Sequence, residues 1–199
     1  MPPVEARLPA WAPVLAIAAG VMWAVVRPLQ EEHPRPYTYD EWNRVMTVTY
    51  LLFLGAAAGV WQVLAPHVRR VGRAGLVLSM VGCSLLIAGN VVEFWLSWML
   101  NVPTAFDSGY SGGGWSGSYW GWGIFMLGCF VLVGAAALLA VGFIRARAVL
   151  WWLAAPAVLA QLFLPAFFAP RHAVVFGVVW VWLGLALAGW GRSRAAVGR

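Results

Sequence analysis

Residues 75–100 read GLVLSMVGCSLLIAGNVVEFWLSWML, an apolar run broken by one carboxylic acid, Glu93. As a helix rising 1.5 Å per residue, this run is long enough to cross a ~30 Å hydrocarbon core. On a helical count of roughly 100° per residue from Gly89, Gly82 falls at about 20°, and Gly75 and Glu93 at about 40°. Ser79 and Ser97 fall at about 80° and Asn90 at about 100° on the same count. The glycines and nearly all polar groups of this segment therefore share one face. Lipid would penalise that face, so it is expected to look into a helix bundle.

Five further apolar runs flank this one, which predicts an all-α polytopic membrane protein with six transmembrane helices. The spans are about 11–27, 45–66, 75–100, 121–144, 148–169 and 172–191. Each is near the ~20 residues that a spanning helix needs, and none shows the alternation of a barrel strand. Glu93 is the only acidic residue inside any of them. The composition agrees. Of 199 residues, 62% are hydrophobic and 10% charged, whereas a soluble domain carries about 25% charged residues. We read residues 1–199 as one membrane domain. The first span is read as retained, because Val25-Val-Arg-Pro-Leu-Gln30 is a poor signal-peptide cleavage site.

The net charge of +6 comes from arginine alone, as the chain has no lysine. The arginines sit at the ends of apolar runs, so they read as topology signals rather than as a nucleic-acid footprint. With the N-terminus inside, Arg7, Arg69, Arg70, Arg73, Arg145, Arg147, Arg192, Arg194 and Arg199 are cytoplasmic. Only Arg27, Arg35, Arg44 and Arg171 then lie outside. This bias predicts both termini in the cytoplasm. Arginine without lysine, amid Ala, Gly and Val, fits the codon usage of a GC-rich bacterial genome, so the expected location is a bacterial plasma membrane. Two outer loops are long, 28–44 and 101–120, while the inner connections are short. In the first, Thr38-Tyr-Asp-Glu41 fits a capping box, so the second helix is expected to begin before the membrane boundary. The second is rich in Gly and Ser and ends in Trp and Tyr anchors.

Small residues let helices approach in lipid. Gly55 and Gly59 form a GxxxG in the second span, and Ala16 and Gly20 belong to a four-residue stripe in the first. With Gly75, Gly82 and Gly89 in the third, these are the expected packing positions. They could pair helices within the chain or receive another protein.

Polar residues of three helices converge on one outer layer. By helical rise, Glu93 lies about 10 Å and Gln161 roughly 12 Å below the outer boundary. Thr47, Thr49 and Tyr50 fall in the same half of the second span, and Asn90 lies beside Glu93. Pro165 cannot donate to the Gln161 carbonyl, and Pro156 should bend the same helix. These six residues are a candidate ligand site. The same groups could equally be structural hydrogen-bonding glue, with Arg44 or Arg171 reaching down to Glu93.

Several chemistries lack their residues. His33, His67 and His172 lie at or beyond the span ends, so no haem pair faces across the bundle. No HExxH or CxxC occurs, and no metal or cofactor is expected. Cys83 and Cys129 are read as buried inert thiols. Ser111, Ser116 and Ser118 have no intramembrane His or Lys as base. The reading that follows is a non-catalytic accessory or scaffolding subunit in the lipid bilayer. It would engage a larger membrane complex or form a homo-oligomer, through outer loops and small-residue faces, with no nucleic acid. The alternative is a solute-binding subunit or small carrier using the Glu93 layer; a membrane enzyme of unknown reaction comes third.

Overall fold

The computed structural model describes residues 9–32, 38–102, 116–146, 151–163 and 172–197. These form six helices: α1 (Trp11–Glu32), α2 (Tyr39–Leu64), α3 (Arg70–Leu100), α4 (Ser116–Ala146), α5 (Trp151–Leu159) and α6 (Ala173–Val197). Five of them, all but α5, are long and apolar enough to cross a membrane.

Local chemistry sets the helix ends. Thr38 caps α2 by accepting from the Glu41 amide, while the Glu41 carboxylate accepts from the Thr38 amide at 2.6 Å. This capping box starts α2 at Tyr39, about a turn and a half before the apolar run. Pro28 lies inside α1, which continues to Glu32, so much of the expected 28–44 loop is helix. α3 ends where Asn101 takes left-handed angles (φ 52°, ψ 46°), which Asn tolerates better than most residues. The Val102 amide then donates to the Ser97 carbonyl and the Asn101 amide to that of Trp98, closing a Schellman motif.

The fifth apolar run departs from expectation. Its helix covers Trp151–Leu159 and gives way to a turn at Ala160–Gln161; the Ala160 amide still donates four residues back to Pro156, whereas the next two amides donate three back. Gln161 donates to the Val158 carbonyl and Leu162 to that of Leu159. The Gln161 carbonyl accepts from the Phe163 amide at 2.8 Å. Hydropathy sees only that the run is apolar; it does not see that two prolines within ten residues weaken the backbone ladder. Pro165 itself, with the rest of the expected span to 169, lies outside the described residues, as do 103–115 of the second outer loop.

Neighbouring helices run antiparallel. Gly55 and Gly59 of α2 lie against Leu15 and Ala12 of α1, and Gly20 of α1 lies against Gly177 and Trp180 of α6. Gly184 meets Ile17 and the Pro13 carbonyl, so the start of α1 and the later part of α6 share one end of the bundle. α3 and α4 make the closest pair. Gly72 faces Gly142, Gly75 faces Leu139 and Ala135, Gly82 faces Leu132 and Gly128, and Gly89 faces Phe125 and Gly121. Ala16 is fully buried.

Outward faces of these helices carry Val, Leu, Ile and Phe, as lipid requires. Exposed Trp98, Tyr119 and Trp120 ring one end, and exposed Trp11 and Trp151 mark the other. Such aromatic girdles sit at headgroup level in membrane proteins. At the first end the Arg44 guanidinium lies 5.4 Å from the Trp98 ring centre, a cation–π distance. The interior holds a cluster of rings from five segments: Trp23 of α1, Tyr50 and Phe53 of α2, Phe125 of α4, Phe163 after α5, and Phe176 and Trp180 of α6. Cys83 and Cys129 are buried free thiols.

Candidate functional site

α3 is not a regular α-helix throughout. Over Val91–Trp95 it widens to a π turn, and the Leu96 amide donates to the Val91 carbonyl five residues back. Glu93 sits in that turn and is 1% exposed. Its backbone presses on α4: a Cβ built on Gly121 would come within 2.7 Å of the Glu93 nitrogen and 3.0 Å of its Cα. Only glycine at 121 leaves room for this approach. The Glu93 carbonyl accepts from the Ser97 hydroxyl, one turn on, and Ser97 is buried.

Asn90 and Thr47 meet across α2 and α3. The Thr47 hydroxyl donates to Asn90 Oδ1 at 2.6 Å and accepts from the Trp95 indole at 2.8 Å. One hydroxyl thus joins both sides of the π turn to α2. Its one proton and one of its two lone pairs are thus engaged inside the bundle, where an unmet polar group is costly.

The other expected residues lie apart from this chain of bonds. Gln161 donates its side-chain amide to the Ala157 carbonyl at 3.3 Å. It thereby replaces the backbone bond that Ala157 loses where α5 breaks, a side chain capping its own helix. Among the described residues its Oε1 has no hydrogen-bond partner, and neither has the hydroxyl of Thr49, which is fully buried. Tyr50 belongs to the aromatic cluster, with ring centres 5.7 Å from Phe125 and 6.1 Å from Phe163. Arg44 lies over Trp98, and Arg171 is outside the described residues.

Buried Arg27, Asn43 and Trp23 and half-buried Trp95 are polar groups that sequence alone does not single out. Arg27 was taken as a boundary charge, yet it is 7% exposed. The signal was its position one helical turn after Trp23, on the same inward face. Trp95 falls at about 240° on a straight helical count, opposite Asn90. A π turn holds one extra residue and sets later positions back by about 100°, which brings Trp95 toward Asn90. Asn43 lies one turn before Thr47 on α2 and carried no other signal.

Among the described residues no group of three or more His, Cys, Asp or Glu is placed to hold a metal ion. Compared with protein-family models, characterised proteins and solved structures, the chain matches none.

Proposed function

We propose that this chain is a non-catalytic subunit of a bacterial cytoplasmic membrane, crossing it six times with both termini inside, and that it scaffolds a larger complex. The observation carrying this reading is the Trp95–Thr47–Asn90 chain of hydrogen bonds. It uses the polar groups of the central layer as a clasp between helices. Support also comes from the glycine faces. Gly20, Gly55, Gly59, Gly75, Gly82 and Gly89 are all filled by the chain's own helices, so docking falls to the outer end. That end carries Arg44, Trp98, Tyr119 and Trp120. Aromatic and arginine side chains are the residues that most often anchor protein contacts.

The direct experiment is purification from the native host in mild detergent, with identification of every protein and small molecule retained. A stoichiometric protein partner is expected, and substituting Trp98 or Trp120 by Ala should release it. A chain that purifies alone and monomeric after crosslinking in native membranes contradicts the proposal.

A second reading, a solute-binding subunit or small carrier, is favoured by the π turn at Glu93, since single widened turns recur at functional sites. Under it, Glu93→Gln abolishes uptake or binding with normal expression; under scaffolding, the same substitution leaves partner recovery intact.

A further inference from the structure

Among the buried polar atoms with no hydrogen-bond partner in the described residues are Trp23 Nε1, Trp180 Nε1, Thr49 Oγ1 and Gln161 Oε1, the last on a side chain that bonds to Ala157 through its amide nitrogen. They do not lie at random. Trp23 and Trp180 are themselves walls of the aromatic cluster, and Thr49 directly precedes a third wall, Tyr50. Gln161 is held at the break after α5, where its carbonyl accepts from the amide of Phe163. The Phe163 ring in turn meets Trp23 edge-on, with ring centres 4.9 Å apart. The ring that carries one unmatched indole donor therefore meets Phe163, and the unmatched amide acceptor belongs to the residue two positions before Phe163, beside a broken helix. Broken helices are tolerated in membranes where they face protein or line a site, and they recur at binding sites.

We propose that this break between α1, α2, α5 and α6 binds the polar end of an uncharged, lipid-soluble alcohol or phenol. The chemistry of the four atoms selects that class. A hydroxyl oxygen accepts from the indole of Trp23, the ring that meets Phe163, and its proton goes to Gln161 Oε1. The surrounding ring edges and faces take an apolar or aromatic body. A quaternary ammonium would suit the ring faces but leave both indole donors unmet. A carboxylate would meet the indoles but set a negative charge against the amide oxygen of Gln161. A pure hydrocarbon would meet none of the four. This inference is independent of the scaffolding role; it takes Thr49 and Gln161 from the candidate layer but leaves aside Glu93 and the Trp95–Thr47–Asn90 hydrogen bonds.

The test uses the full chain in phosphatidylcholine nanodiscs, titrated with 2-fluoro-4-decylphenol and followed by fluorine NMR. A saturable bound resonance, lacking in protein-free nanodiscs, is expected. The methyl ether of the same probe keeps the ring and tail but has no proton to donate, and should bind at least tenfold more weakly. Gln161→Leu and Trp23→Phe should each weaken the phenol at least tenfold. Circular dichroism and thermal unfolding establish that each variant is folded. Should Gln161→Leu not fold, Trp23→Phe decides, because it keeps an aromatic body and removes only the indole. Three results overturn the proposal: no saturable resonance with folded wild-type protein, equal binding of phenol and ether, or wild-type affinity in the folded variants.

Discussion

The Thr47 hydroxyl and the Asn90 amide oxygen lie 2.6 Å apart, across 43 positions of sequence. Trp95 completes the contact from the far side of the π turn. This is the shortest description of how α3 is registered against α2. It makes Thr47, one of the six candidate site residues, the hub of the polar layer.

Removing either partner strands the other in the bundle, whereas removing both does not. Thr47→Val and Asn90→Leu are each expected to destabilise the protein, and the double variant less than their sum. Interhelical hydrogen bonds in membranes couple by roughly 0.6 kcal/mol on average and up to about 1.7. A double-mutant cycle on reversible unfolding in mixed micelles measures the coupling. Thr47→Val is expected to be the costlier single change, because it also orphans the Trp95 indole, a loss that the double variant shares and that therefore cancels in the coupling.

Glycines of α4 that look alike in sequence should differ in effect. Gly121→Ala drives a methyl group to 2.7 Å from the Glu93 backbone nitrogen, and backbone cannot swing aside. A loss of ~1–3 kcal/mol is expected, the range for overpacking. Gly123 and Gly134 have nothing within 4 Å of an added Cβ. Alanine there should be neutral, or stabilising by up to ~1 kcal/mol through helix propensity. Thermal unfolding of the three variants side by side checks the contrast.

Much of this was open to a reader of residues 75–100. Counting around the helix puts Gly75, Gly82, Gly89 and Glu93 on one side, because lipid forces polar and small groups inward. Which helix would meet that side was not readable, since α4 offers small residues at Gly121, Gly128, Ala135 and Gly142 that only the tertiary fold selects. Apolar runs report the thickness of hydrocarbon and not the helix ends: α2 begins at Tyr39, as the Thr38–Glu41 capping box leads one to expect, whereas the start of α3 at Arg70 left no such sign. The π turn left no trace in hydropathy, so Trp95 was missed. Gln161 was singled out for a carbonyl freed by proline. In the structure that carbonyl accepts from Phe163, and it is the side-chain oxygen that has no hydrogen-bond partner among the described residues.

Orientation rests on arginine. Arg69, Arg70, Arg73 and Arg145 mark the end where α1 begins, and Gly184 against Pro13 brings α6 back to it. A green fluorescent protein fused after Arg199 should therefore fluoresce in a bacterial host. An alkaline phosphatase fused at the same point should be inactive, following the positive-inside rule. Active phosphatase with a dark fluorescent fusion would reverse the assignment.

The account turns on a polar layer that is dry and enclosed by helices, and labelling of a single thiol tests it most directly. Ser97 is 1% exposed and bonds to the Glu93 carbonyl, so Ser97→Cys places a near-isosteric probe one turn from the acid. Native Cys83 and Cys129 are buried and make the wild-type protein a blank. In intact membranes a water-soluble maleimide should leave Ser97→Cys unmodified over hours, with full reaction only after unfolding in dodecyl sulfate. Rapid modification of the folded protein would mean that water reaches the Glu93 layer, and the clasp would have to be replaced by an open site.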